Sequence, residues 1–320
     1  MAVNSDKPSQ WKSDIARSVD FYNDWFLRFA PRVYRDTRVE TTKQVESALK
    51  QTANLTNIAP VVLRQNPSVL PILRMATAPP IARDRLIGLA GVSPNLVRNM
   101  ELDQQIPPRM KKARIDVELE TIGKIVLRLA DKDIFPWLES KKKPTRVEVH
   151  RAATIVADRL CGTVSDPILR NAQERRQLAA IKRWLDKRGY SQTKSGNQSK
   201  FNEMNPGTYA FRLNVPVKLK ETATQVNIPI DAVVMPLQSK SGDLPLLIEA
   251  KSAGDYTNTN KRRKEEATKI FQLKANYGDS VRFVLFLCGY FDSGYLGYEA
   301  AEGIDWVWEH RIDDLAKFGV

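Results

Sequence analysis

Histidine and cysteine are almost absent from this sequence, with two of each in 320 residues. With only His150 and His310, imidazole-based zinc centres, His-rich nuclease sites and Ser-His-Asp triads are poorly supplied. Cys161 and Cys288 stand far apart, which argues against a disulfide framework and for a reducing cytoplasm. No apolar run reaches the ~20 residues of a membrane span. The first residues, Met1 to Lys12, are polar and lack the apolar core of a signal peptide. A cytoplasmic protein with no membrane attachment is the expectation. No Gly-x-x-x-x-Gly-Lys-Ser/Thr phosphate loop occurs, so ATP-driven work is not expected. Acidic residues are also short: 37 Asp and Glu face 50 Lys and Arg, a net charge of +13. Such a surplus favours a polyanionic partner, with nucleic acid the first candidate, although generally basic soluble proteins are common.

What the chain does contain divides into two halves. The first reads as helices. Trp11, Ile15, Val19, Tyr22 and Phe26 keep a helical spacing, and Ile115, Leu119, Ile122, Val126 and Leu129 keep it more strictly. Prolines punctuate the segment from Pro60 to Pro80 into short helices and turns. Thr145-Arg146-Val147-Glu148 has the form of a capping box opening a helix towards Leu160. A further helix is expected from Asn171 to Arg188, stopped by Gly189. After Tyr190 strand-like runs follow at Thr208–Leu219, Asn227–Leu237 and Leu244–Ser252. A polar helix is expected over Asn258–Asn276, then a buried strand over Val281–Phe291. The alternation of Ile304, Trp306 and Trp308 leads into a short final helix. The boundary between the halves falls near Asp166, giving a helical region 1–165 and an α/β region 166–320.

The segment Pro229 to Lys251 carries the chemistry. Pro229-Ile230-Asp231-Ala232-Val233-Val234 and Leu246-Leu247-Ile248-Glu249-Ala250-Lys251 are apolar strands holding charge where burial is costly unless the charge is paired or binds a metal. Gln238 to Asp243 is a turn signal between them. Folding about Lys240 or Ser241 brings Asp231 opposite Glu249, Ala250 or Lys251. Glu249 and Lys251 share a face by alternation. A register opposing Asp231 to either of them gathers all three, and a one-residue slip separates them. The sequence leaves that register open. Two carboxylates and a lysine on one spot are the equipment of a metal-dependent phosphodiesterase. The competing reading is an exposed Glu-Lys pair at a strand end, worth little. Glu139-Ser140-Lys141 repeats the spacing but reads as a helix end entering a solvated lysine loop.

Other candidates surround this segment. Asn258, Asn260, Lys261, Arg262, Arg263 and Lys264 place basic and amide groups just downstream, suited to phosphate contact or base readout. The bland alternative is a solvated basic face paired with Glu265 and Glu266. Arg83 to Glu101 has the outline of a helix-turn-helix, with Gly91-Val92-Ser93-Pro94 as the turn and Leu86, Leu89, Leu96 and Val97 as its core. An ordinary helical hairpin is the more frequent structure behind such a pattern. Asn95 and Arg98 would be its base-reading candidates. Gly289 to Tyr298 is rich in Gly and Tyr without matching the GIY-YIG nuclease motif. Trp306 and Trp308 read as core.

Pro229-x-Asp231 followed by Glu249-x-Lys251 resembles the PD-(D/E)XK nuclease motif, with Ile230 interposed between the usual proline and aspartate. Asn171–Tyr190, Ile248–Ala267 and Gly289–Leu315 together resemble type II restriction endonucleases of the XamI-like group. The resemblance implies a restriction-endonuclease-like mixed sheet flanked by helices, an α+β fold within the α/β class. It implies Mg²⁺ bound by Asp231 and Glu249, with Lys251 orienting or activating the attacking water. Glu174 would be a further metal ligand on the preceding helix, or else the reciprocal partner of an Asn171 helix cap. The implied activity is Mg²⁺-dependent cleavage of both strands of double-stranded DNA at a short palindromic site, by a homodimer within a restriction-modification system. The helical region would then serve recognition and dimerisation. Two alternatives remain at this stage: a repair or recombination nuclease reading DNA structure, and a non-catalytic DNA-binding regulator.

Overall fold

A computed structural model describes residues 2–193, 201–219, 224–257 and 259–320, with the backbone alone for 259–263. The chain forms two compact units, Ala30–Leu169 and the combination of Met1–Phe29 with Arg170–Val320.

The Ala30–Leu169 unit is helical. It takes the second part of α1 (Pro8–Gln51), then α2 (Pro60–Gln65), α3 (Leu70–Met75), α4 (Arg83–Ala90), α5 (Pro94–Arg98), α6 (Lys112–Leu129), α7 (Trp137–Ser140) and the first part of α8 (Arg146–Asp186). Its core joins Val45 and Leu49 to Leu63, Leu70, Leu86, Leu96, Val97, Phe135 and Val156. The spacing along α6 is realised: Ile115, Leu119, Ile122 and Val126 are buried. The capping box at Thr145 forms, with Glu148 N donating to Thr145 Oγ1 at 3.3 Å and Thr145 N to Glu148 Oε2 at 2.7 Å.

Two expectations are corrected here. The helices expected over 145–160 and 171–188 are one helix, α8, with Pro167 inside it. A proline removes a single backbone hydrogen bond. Buried contacts on both sides, through Val156, Ala157 and Cys161 before it and Leu178 and Ile181 after it, keep the helix running. Between α4 and α5, Gly91 is left-handed and Ser93-Pro94 opens the second helix as expected. Leu89, however, is exposed and no part of that core. The second helix runs five residues before passing into a π-helical turn at Asn99–Asp103.

The other unit is a mixed sheet between helices. Its strands are β1 (Ser191–Gln192), β2 (Thr208–Lys218), β3 (Gln225–Val234), β4 (Leu246–Ala253), β5 (Arg282–Gly289) and β6 (Asp305–Trp308), in spatial order β1 to β6. β2, β3 and β4 run antiparallel in turn, whereas β4, β5 and β6 are parallel. Helix α9 (Thr259–Tyr277) makes the crossover from β4 to β5, and α10 (Ser293–Ala301) that from β5 to β6. One sheet face packs on α8 through Leu178, Ile181, Trp184 and Leu185 against Ala232, Val234, Leu246 and Ile248. The other packs on α9 through Ile270 and Leu273 against Val233, Leu247 and Leu285. Trp306 and Trp308 are fully buried. The first residues of the chain anchor on β6: Asn4 and Ser5 backbone amides donate to Asp305, and Asn4 Nδ2 to Trp306 O.

Candidate active site

The β3–β4 register decides the site, and it is the gathering one. Ala232 pairs with Ile248, Val233 with Leu247 and Val234 with Leu246. Continued by one residue, that ladder sets Asp231 opposite Glu249. The ladder ends there, and the Asp231 side chain takes over: its Oδ2 accepts the Ala250 N–H at 2.8 Å. On the other side of β3 the bridging also skips Asp231 and its neighbour Arg212, which is left-handed at φ 53°. The twist is visible in the packing. Tyr209, Ala232 and Val234 face α8, yet Val215, Val217, Ile228 and Ile230, of the parity to match them, join the α9 side. The sheet opens where the carboxylates lie. This leaves a cleft of about 310 Å³ lined by Asp231, Glu249, Lys251, Ser252, Glu265 and four α8 residues: Arg170, Gln173, Glu174 and Gln177.

Glu249 is 5% exposed, so it is no solvated strand-end charge. Its Oε1 receives Lys251 Nζ at 3.0 Å and Lys269 Nζ at 2.6 Å. Lys251 Nζ also lies 2.8 Å from Glu266 Oε1, a side chain with no exposed surface. Gln177 is buried behind the cleft and donates from Nε2 to Lys251 O at 3.2 Å and Phe286 O at 3.0 Å, fixing β4 against β5.

Burial raises the Asp231 carboxyl to about 6, and the neighbouring Glu249 charge adds to the rise; the Ala250 N–H and Lys251 oppose it. Burial works against the Lys251 ammonium, but Glu249 and Glu266 outweigh it, and its pKa moves above the usual lysine value. Burial also raises the Glu266 carboxyl, with Lys251 and Lys269 holding that rise back. A cation between Asp231 and Glu249 would relieve the repulsion that the Glu249 charge exerts on Asp231. Glu249 Oε2 is buried with no hydrogen-bond partner among the described residues. An all-oxygen donor pair suits magnesium. The residues therefore fit such an ion, although no ready-made group of three His, Cys, Asp or Glu ligands occurs among the described residues.

Glu174 lines the same cleft but its Oε1 is taken by Arg212, from Nε at 2.9 Å and Nη2 at 2.7 Å. The alternative of a cap with Asn171 is removed, because no helix begins there. Of the basic segment, Asn258 lies outside the described residues, as do the side chains of Asn260, Lys261, Arg262 and Arg263. Lys264 is exposed on α9. The bland alternative, a solvated face paired with Glu265 and Glu266, does not hold for both acids: Glu265 is exposed and lines the cleft, whereas Glu266 is buried under Lys251. Asn95 and Arg98 are exposed on α5. Glu139 and Lys141 end α7 as expected of the decoy, Glu139 pairing with Lys132 at 2.6 Å. Sequence reading missed Glu266, Lys269, Gln177 and Arg212. A signal existed for the first two: Glu266, Lys269, Ile270 and Leu273 keep the i, i+3, i+4, i+7 spacing of one helix face.

The family profile described as "XamI restriction endonuclease" matches residues 53–308. The chain is 54% identical over 317 residues to the type II restriction enzyme SalI of Streptomyces albus G, covering 99% of each chain. No solved structure matches.

Proposed function

The chain belongs to the XamI restriction endonuclease family, and we propose that it is a type II restriction enzyme of the PD-(D/E)XK kind. On this reading it hydrolyses both strands of a specific, short palindromic DNA duplex. It does so with magnesium, as a cytoplasmic homodimer within a restriction-modification system. The observation that carries the reading is the convergence of Asp231, Glu249 and Lys251 on one cleft, in a chain so close to a type II restriction enzyme.

Asp231 and Glu249 would hold the ion, with Glu174 as a further ligand if it leaves Arg212. Bound there, magnesium supplies polarisation of a phosphate oxygen and a lowered pKa for a coordinated water. The chain's own groups do the rest. Lys251 remains an ammonium, so at neutral pH it donates hydrogen bonds and offsets negative charge developing on the phosphate; it does not act as a base. The Ala250 N–H fixes one Asp231 oxygen, so the other is aimed by a strand backbone and not by a free rotamer. Arg212 and Arg170 give the cleft rim cations for the flanking phosphates. Asn258, Asn260, Lys261, Arg262, Arg263 and Lys264 follow β4 directly and would extend that contact along the duplex. The helical region 1–165 would add recognition and dimerisation to the catalytic region 166–320.

Digestion of plasmid DNA with Mg²⁺ is expected to give discrete fragments with common ends; a smear, or cutting only at branched DNA, would support a structure-reading nuclease instead. Asp231→Ala and Lys251→Ala are each expected to lower single-turnover cleavage by about 10³-fold or more while leaving circular dichroism and duplex binding in place. Cleavage at the wild-type rate by either variant would remove this site from the mechanism.

A further inference from the structure

The motif residues do not stand alone. Glu249 and Lys251 point to the face covered by α9, and α9 meets them with two charges one turn apart. Lys269 Nζ sits 2.6 Å from Glu249 Oε1, and Glu266 Oε1 sits 2.8 Å from Lys251 Nζ. The four groups alternate in sign: Lys269, Glu249, Lys251, Glu266. Glu249 and Lys251 each have one partner on their own strand and one on the helix. Ile270 and Leu273, buried on the same face of α9, fix the helix on the sheet.

We propose that Glu266 and Lys269 are a positioning pair for the catalytic centre: Glu266 holds the Lys251 ammonium, and Lys269 holds the Glu249 carboxylate. The inference rests on the nuclease reading of the cleft.

The physical argument is one of rotamer freedom. A lysine has four rotatable bonds and a compact charge, and unaided it samples many positions. At 16% side-chain exposure, Lys251 is held between two carboxylates instead. Glu249 likewise receives two ammonium groups on one oxygen, and its Oε2 is the atom left without a hydrogen-bond partner among the described residues. The lysines thereby set which carboxylate oxygen remains available. A fully buried carboxylate is expensive, and Glu266 contacts no exposed surface that would repay its presence. A second buried carboxyl on this side of the sheet, Glu299, makes no ion pair among the described residues. Glu266 is thus the buried acid that α9 brings to the motif lysine, beside Glu249 on the lysine's own strand. Misplacing a reacting group by about 1 Å costs on the order of 10²-fold in rate.

The test uses the full-length protein, a duplex carrying its cleavage site, and single-turnover cleavage measured beside equilibrium duplex binding without divalent metal. Glu266→Gln is expected to bind duplex within about threefold of wild type and to cleave about 10²-fold more slowly. Lys269→Gln, at a partly exposed position and so safer for folding, should show the same split with a loss of about 10-fold or more. Lys269→Arg, which keeps the charge, should restore most of the rate. Wild-type cleavage by both Gln variants overturns the proposal. So does a parallel loss of binding, cleavage and thermal stability, which marks a purely structural role. Asp231→Ala separates the two levels of inference: if it too cleaves normally, the nuclease reading of the cleft has failed, whereas a dead Asp231→Ala beside fully active Glu266→Gln and Lys269→Gln variants overturns only the positioning pair.

Discussion

Glu299 is completely buried on α10, beside Tyr295 and near Glu266. Burial pushes its carboxyl up to about 8, against the opposing pull of Tyr295. At neutral pH it is therefore mostly protonated in the folded chain and ionised in the unfolded one. A raised pKa means the folded state binds the extra proton, so the contribution of Glu299 to stability is full below about 4.5 and is lost as pH rises towards about 8. Glu299→Gln removes that titration. Its stability relative to wild type is expected to rise by roughly 4 kcal/mol between pH 5 and pH 9, measured by urea unfolding at both. Residues differ in how readable they were. Asp231, Glu249 and Lys251 stand out because charge interrupts apolar strands. Glu266 and Lys269 lie in Lys264-Glu265-Glu266-Ala267-Thr268-Lys269, where charge is the background, and only the direction in which α9 packs separates the buried glutamate from its exposed neighbour.

At the level of elements, the end of β4 is held by an unusually close approach. Gly289, closing β5, has φ 99°, and a Cβ there would lie 2.1 Å from Ala253 O. Tyr290 N donates to that same carbonyl at 3.0 Å. Gly289→Ala is expected to destabilise the protein by about 2–4 kcal/mol through combined backbone strain and steric conflict, read as a lowered urea midpoint. Lys251 lies two residues before Ala253, so a surviving variant should also cleave more slowly. The strands, their order in the chain and the turn about Lys240 were legible, because alternation and turn residues are local properties. The continuity of α8 was not. Proline and a candidate cap at Asn171 argue locally for a break, and tertiary packing on both sides overrides them. The opening of the sheet at Asp231 was equally hidden, since it depends on a left-handed arginine on the neighbouring strand.

For the molecule as a whole, the net charge of +13 frames what binding should look like. Duplex affinity is expected to fall steeply and linearly in log salt, with a slope near −0.9 for each phosphate neutralised. Replacing any one of Lys261, Arg262, Arg263 or Lys264 with Ala should reduce that slope by about 1; an unchanged slope in fluorescence-anisotropy titrations would take that residue off the DNA. The sequence by itself determined the two-part order of helices then strands, the basic character and the three motif residues, because composition, periodicity and charge set within apolar runs are carried by neighbours along the chain. Only the tertiary structure decided the β3–β4 register, the pairing of Glu174 with Arg212, and the joining of Glu266 and Lys269 to the motif. Each of these depends on which faces of distant segments meet, and a one-residue slip or a turned helix would leave the same sequence pattern with no site.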